Sequence, residues 1–231
     1  MKSEAEAKHI MLASPIFKDA WGQPHKKAHD FPAHKVGEGK GSSWFEMYRD
    51  ISKSLLEVKT LLNIGVGFNK GMDNETVRWL NIYDQMFGPI ERFANIDILP
   101  TVVKESRDAI KSERITGRAI DYLKECHTGD VKNLENIEDL NGPFDIVLWS
   151  HGPEHVYRKE WVNCFDSISA IAKVVVICLP WGSGYNYEPT HLSPSVRRGE
   201  LEQFGFDIRY AGVEDTKQAC MYGWKLGNIT C

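Results

Sequence analysis

Four stretches of this chain carry residue types that could do chemistry. Gly65 and Gly67 lie in Leu-Leu-Asn63-Ile-Gly-Val-Gly-Phe68, directly after an apolar run. Neither has a Cβ, so the backbone there can turn sharply and approach a ligand closely. Asp97 ends a second apolar run, and Asp130 follows Gly129. The segment Ser150-His151-Gly-Pro-Glu154-His155 follows a third run, and His191 stands further on in Glu-Pro-Thr-His-Leu-Ser. His151, Glu154, His155 and His191 are the candidate bases; histidine titrates in the useful range, and a base must reach the acceptor's proton. Strand, glycine turn and helix form the nucleotide-binding geometry of an open α/β sheet, with the ligand at the strand's carboxyl end. Taken alone, the same glycine pair serves equally as a tight turn with no ligand.

The elements that must position these residues follow from periodicity. Ser43-Trp-Phe-Glu46 has the form of a capping box, and Trp44, Tyr48, Ile51, Leu55 and Val58 share one helical face. Leu61, Leu62 and Ile64 end the first strand. Asp73 or Asn74 can cap a helix carrying Val77, Leu80, Tyr83 and Phe87, which Gly88-Pro89 stops. Phe93 to Ile98 reads as the second strand, and Pro100 suits the first position of a helix through about Lys111. A third strand is expected shortly before Gly129. Phe144 to Trp149 is a buried strand, and Trp161, Phe165, Ile168 and Ala172 mark the buried face of the next helix. Lys173 to Leu179 is a fifth strand closed by Pro180. Ser195 to Phe204 reads as a helix, with late strands at Phe206 to Val213 and Ala219 to Leu226. This alternation predicts a Rossmann-like, mostly parallel seven-stranded sheet with helices on both faces and an antiparallel edge hairpin.

Length and composition set the bounds. The 231 residues suffice for one large α/β domain, with 42% hydrophobic and 26% charged residues, ordinary values for a globular protein. The net charge of −4 argues against a broadly basic nucleic-acid surface. No apolar run approaches the ~20 residues of a membrane helix, and the amino terminus lacks the apolar core of a secretory signal, so a cytoplasmic protein is expected. Five cysteines with no Cys-x-x-Cys pair suggest reduced thiols. Residues 1–43 hold four of the eight histidines and three prolines with little periodicity. They read as an irregular, solvated basic arm, or as a lid that orders over a substrate; residues 44–231 form the domain. No metal-ligating set is assigned, because His25, His29 and His34 have no carboxylate or cysteine at ligand spacing.

Together, Leu-Leu-Asn-Ile-Gly-Val-Gly, Asn-Ile-Asp97, Thr-Gly-Asp130-Val-Lys-Asn-Leu and Phe-Asp-Ile-Val-Leu-Trp-Ser-His-Gly-Pro-Glu-His-Val resemble the class I S-adenosylmethionine-dependent methyltransferases. The resemblance runs from about Leu61 to Leu226. It implies S-adenosyl-L-methionine as cofactor and a small-molecule methyl acceptor, with oxygen or nitrogen easier to methylate than carbon. It implies that Asp97, with Ile98 beside it, takes the ribose hydroxyls. Asp130 and the Val131 amide would take the adenine, and Asn63, Gly65, Gly67 and Phe68 the methionine part. Ser150 and His151 would lie near the sulfonium, with His151 as the favoured base and His191 facing the active site. Glu154 and His155 would hold their loop. Plain alternatives stand beside these roles: Asp97 as a helix cap before Pro100, Asp130 as a turn residue, Trp149 as core filling. Trp181, Tyr185 and Tyr187 would either stack on a flat substrate or pack over the rim.

Two positions depart from the family pattern. Asn63 stands where an acid is usual, and Asn69 where a third glycine is common; asparagine tolerates left-handed backbone angles better than most residues. From Gly65 to Asp97 is 32 residues, against the about 20 of a nicotinamide-binding fold, so a dehydrogenase is disfavoured. A non-catalytic methyltransferase-like binding module, and a methyltransferase acting on tRNA or protein, are the other readings. The oligomeric state is not encoded legibly. Removing residues 1–40 is expected to leave a folded protein with the same cooperative thermal transition; loss of that transition by circular dichroism would place the arm in the core.

Overall fold

The computed structural model describes residues 57–65, 90–111, 123–150, 152–180, 191–193, 196–211 and 220–229. The expected arm at 1–43, the capping-box helix after it and the helix after the glycine turn lie outside the described residues.

Seven strands form: β1 (Thr60–Ile64), β2 (Arg92–Asp97), β3 (Cys126–Thr128), β4 (Phe144–Ser150), β5 (Ala172–Pro180), β6 (Asp207–Ala211) and β7 (Cys220–Leu226). They hydrogen-bond in the order β3-β2-β1-β4-β5-β7-β6. β1 runs parallel to β2 and to β4, and β2 parallel to β3. β6 and β7 are antiparallel, Ile208 facing Gly223. This is the open, mostly parallel Rossmann-like sheet with an antiparallel edge that the sequence pattern predicts. Among the described residues no helix is long and apolar enough to cross a membrane.

The strands are near-continuous apolar runs because a parallel sheet is covered on both faces. Phe144, Ile146, Val147, Leu148 and Trp149 of β4 and Val174 to Leu179 of β5 are all buried. Helix α1 (Pro100–Lys111) starts on a proline, whose missing amide hydrogen costs nothing in the first turn. It buries Val102, Val103 and Ser106 and packs against β2 and β3. The Arg107 guanidinium donates to the Cys126 carbonyl at 2.7 Å, tying the helix to β3. Helix α2 (Trp161–Ile171) buries Trp161, Cys164, Phe165 and Ile168, an i, i+3, i+4, i+7 stripe.

Two of the boundaries that differ from expectation have a visible cause. Ala172 does not continue the face of α2 but opens β5, where the β-branched run Val174-Val175-Val176-Ile177 takes over. The Gly227 amide donates to the Lys173 carbonyl at 2.8 Å, and a Cβ on Gly227 would stand 1.9 Å from the Ala172 carbonyl oxygen, so this close approach requires glycine. Helix α3 spans only Arg198–Glu202. Arg197 is extended, and its amide donates to the Glu200 carboxylate at 2.7 Å, so the helix begins three residues later than Ser195.

The chain divides into two compact units. One comprises Glu57–Trp149, Asn163–Val175 and Leu226–Cys231; among the described residues the other comprises Ser150–Val162 and Val176–Lys225. The first is closed at its base by Asp145. Its Oδ2 accepts from the Lys59 amide at 2.7 Å, the Thr60 amide at 2.9 Å and the Thr60 hydroxyl at 3.1 Å. Its Oδ1 meets the Lys173 ammonium at 2.9 Å. Burial pushes this carboxyl up, but the Lys173 hydrogen bond and the two amides outweigh it and hold the group below the usual carboxylate range. A depressed folded-state value means the stabilisation is complete above the unfolded value near about 4 and is lost as pH falls through the folded one. Asp145→Ala is therefore expected to cost about 3 kcal/mol in denaturant unfolding at pH 7 and to blunt the loss of stability on acidification below about pH 4. An unchanged midpoint would show that the cluster does not hold these strands.

Candidate functional site

The first unit gathers one group of predicted residues at the carboxyl ends of β1, β2 and β3. Ile64 pairs with Ile96, and Asp97 with Thr128. Past the paired residues the strands stay tied: the Gly65 amide donates to the Ile96 carbonyl at 2.8 Å, and the Gly129 amide to the Asp97 carbonyl at 3.0 Å. Gly65, Asp97 and Gly129-Asp130 are thus neighbours along one rim. Gly65 has φ +88°, a left-handed conformation that a side chain would strain. Among the described residues, its two chain neighbours aside, no atom lies within 4 Å of where its Cβ would stand.

Asp97 is 8% exposed, and its Oδ1 accepts from the Leu99 amide at 2.9 Å. That bond fixes the carboxylate in the turn leading to Pro100, but the amide it takes lies before the helix, so Asp97 braces the turn and does not cap the helix as the alternative reading expects. The next side chain, Ile98, is 62% exposed, and Leu99 is also exposed. Two apolar groups therefore face outward beside a carboxylate. Asp130 caps a short 3₁₀ helix (Val131–Asn136): its Oδ1 accepts from the Lys132 amide at 3.0 Å, and its Oδ2 lies 3.3 Å from the Lys132 ammonium. Val131 is buried directly after it. The turn role of Asp130 is thus observed as well.

Asn63 is fully buried in β1 beside Asn95 of β2, its register partner. Its Nδ2 donates to Asn95 Oδ1 at 3.2 Å and to the Gly65 carbonyl at 3.3 Å. Both partners are acceptors, which demands a donor here. Its Oδ1 has no hydrogen-bond partner among the described residues. Cys126 in β3 is not a nucleophile candidate: burial pushes its thiol up to about 12, Arg107 opposing, and its Sγ lies 3.2 Å from the Leu123 carbonyl. Trp149 packs edge-to-face on Phe165 at 5.8 Å, filling the core.

The second unit holds the other group. A 3₁₀ turn, Pro153–His155, follows Gly152, and the Trp161 indole donates to the Pro153 carbonyl at 2.9 Å. The segment around His191 is stitched to this turn. The Ser193 amide donates to the Glu154 carbonyl at 2.9 Å, and the Ser193 hydroxyl to the Val156 carbonyl at 2.5 Å. His155 and His191 consequently stand edge-to-face, ring centroids 4.9 Å apart. The Glu154 side chain is only 2% exposed. One ligand-type atom from each of Glu154, His155 and His191 lies within 4.8 Å of the others. Sequence reading named these three residues among the candidate bases and did not group them as a metal-ligand set. Thirty-six residues separate His155 from His191, and only the adjacent Glu-His pair signals the site in one dimension. Ser150 is half-buried at the end of β4. Gly67, Phe68, Asn69 and His151 lie outside the described residues, as do Trp181, Tyr185 and Tyr187.

No family model matches the sequence, and no curated protein sequence does. Solved structures match through their fold. The methyltransferase domain of bacterial CtHen1 is 15% identical, with a TM-score of 0.52 over 78% of this chain and 96% of that one. The N-methyltransferase NodS of Bradyrhizobium japonicum WM9, solved with S-adenosyl-L-homocysteine, is 10% identical, with a TM-score of 0.51 over 99% of this chain and 100% of that one. Magnesium protoporphyrin IX methyltransferase of Synechocystis PCC 6803, also with bound S-adenosyl-L-homocysteine, is 12% identical, with a TM-score of 0.50 over 83% and 90%. The chain therefore has the fold of the class I S-adenosylmethionine-dependent methyltransferases.

The Asn63 geometry accounts for the missing acid. An aspartate is acceptor-only and would set its oxygens against the Asn95 and Gly65 carbonyl oxygens. Asn63→Asp is expected to lower unfolding free energy by about 1–3 kcal/mol, measured by urea denaturation at neutral pH. Equal or greater stability would mean that Asn95 turns its amide to accommodate the acid.

Proposed function

We propose that this chain transfers the methyl group of S-adenosyl-L-methionine to a small-molecule acceptor, at oxygen or nitrogen in preference to carbon. The observation that carries the reading is the rim of the first unit. A left-handed glycine, a near-buried carboxylate and a capped acidic turn occupy the ends of three adjacent parallel strands, in a fold whose solved neighbours include methyltransferases holding the demethylated cofactor.

The rim residues suit that cofactor. A glycine at position 65, whose missing side chain would meet no described atom beyond its neighbours, suits close approach of the methionine part, with Gly67 and Phe68 next in the chain. Asn63 Oδ1 is a buried acceptor with no described partner; an ammonium donor would satisfy it, and the neutral amide would hold that ammonium more weakly than a carboxylate in its place could. Asp97, its rotamer set by the Leu99 amide, is a bidentate acceptor type for two ribose hydroxyls. Ile98 offers apolar cover to a flat base, and Asp130 with the Val131 amide an acceptor and a donor for its edge.

The cofactor supplies a methyl already activated by positive sulfur. The protein's task is alignment, which can contribute roughly 7–11 kcal/mol. A base is needed only for an acceptor protonated at working pH; His151 is our assignment for it, with His191 the alternative. The net charge of −4 favours a small acceptor over a nucleic acid. Asn63 in place of the usual acid is what favours the second reading, a binding module without turnover.

Calorimetric titration with S-adenosyl-L-methionine, S-adenosyl-L-homocysteine and NAD tests the proposal. Micromolar binding of the first two and none of NAD is expected, with Asp97→Ala weakening it by at least about 1.5 kcal/mol, or roughly tenfold. Binding unaffected by Asp97→Ala would remove the ribose assignment. Binding without methylation of any hydroxyl or amine acceptor would favour the non-catalytic module.

A further inference from the structure

We propose that Glu154, His155 and His191 form a binding site for a divalent transition-metal ion. The site stands on residues of the second unit alone and is independent of the cofactor reading. Its donor set is one carboxylate and two imidazoles, whose ligand-type atoms all lie within 4.8 Å of one another. Ligands of an ion at about 2.1 Å stand roughly 3–3.5 Å apart. Closing this set on a metal requires its ligand atoms to draw together by about an ångström or more.

The backbone is already fixed for that purpose. Glu154 and His155 are consecutive residues of one 3₁₀ turn, and the Trp161 indole pins Pro153 at its start. The two Ser193 hydrogen bonds, to the Glu154 and Val156 carbonyls, bracket His155 and set the segment carrying His191 against it. The burial gradient also suits an ion that enters from solvent. Glu154 is buried, His191 half-buried and His155 exposed. A negative ligand sits innermost, and the neutral donors face the entry.

The donor types choose the ion. Imidazole favours iron, nickel, copper and zinc over magnesium, calcium and manganese, which prefer oxygen-rich shells. Two histidines and one carboxylate leave coordination positions open on a four- to six-coordinate ion. Those positions would take water or an oxygen of a bound small molecule. The plain competitor is an edge-to-face contact between two rings, a packing pair worth about 1 kcal/mol.

The test uses the full chain, stripped of metal by chelator and titrated with Zn²⁺ and separately with Mn²⁺, no nucleotide cofactor present. One tight equivalent of Zn²⁺ is expected, with Mn²⁺ bound more weakly. His155→Asn and His191→Asn should each weaken it at least about tenfold, and Glu154→Gln should do the same. His127→Asn, a histidine paired with Glu125 at 3.3 Å in the first unit, should leave it unchanged. Thermal transitions in chelator verify that each variant folds. Because His155 is exposed, its substitution keeps the test decisive if Glu154→Gln does not fold. Visible absorption of the Co²⁺ form gives a second readout, lost in the same variants. Absence of a stoichiometric ion, or a tight equivalent that survives both histidine substitutions, would overturn the proposal. The latter result would place the ion on histidines elsewhere in the chain.

Discussion

The carboxylate of Asp145 is the constraint on which the first unit depends. Three donors from Lys59 and Thr60 converge on one of its oxygens, and Lys173 occupies the other. The Thr60 hydroxyl returns the link by accepting from the Asp145 amide at 2.8 Å. This one side chain therefore fixes where β1 begins, where β4 begins and where the residue after the start of β5 lies. Parallel strands have no hairpin to set their register; here a buried, charge-assisted cluster does it from the amino-terminal side. The opposite ends of the strands are then at liberty to end in turns. That is where Gly65, Asp97 and Asp130 stand.

Asn63 shows how a family pattern can be set aside for local reasons. The position calls for a donor, because its two neighbours within reach are carbonyl oxygens. A pair of asparagines at register positions of β1 and β2 satisfies this with neutral groups. The arrangement spares the sheet interior a buried charge, which costs several kcal/mol unless it is fully paired. The consequence is a rim whose innermost polar atom is a neutral acceptor. It can still receive a hydrogen bond, with less electrostatic pull on a cation than an acid would exert.

The fold was legible where local chemistry and burial agree. The β4 and β5 segments are unbroken apolar runs, Pro100 marks the first turn of α1, and Gly129 follows β3, so each appears near its expected place. Legibility failed where a distant contact decides. Ala172 fits the stripe of α2 by spacing, yet the approach of Gly227 draws it into β5. The start of α3 is set by the Glu200 carboxylate on the Arg197 amide, a bond that a helical periodicity extending back to Ser195 does not reveal. The rim was readable because three successive strands each end in a marked residue. The Glu154, His155 and His191 group was not, because it depends on Ser193 bridging two segments far apart in sequence.

The structural roles observed for Asp97 and Asp130 do not compete with the binding roles proposed for them. Each gives a single oxygen to a backbone amide two residues on, Leu99 in one case and Lys132 in the other. Such a bond removes rotamer freedom before any ligand arrives, and lost rotamer freedom is part of what binding otherwise costs. A carboxylate bonded to a turn amide at a strand end is thus preorganised, held in a fixed direction by the turn it stabilises. The reasoning extends to Glu154, whose backbone carbonyl is held by the Ser193 amide while its carboxylate stands beside two imidazoles. In each place the hydrogen bond that explains the loop also sets the geometry a ligand would meet.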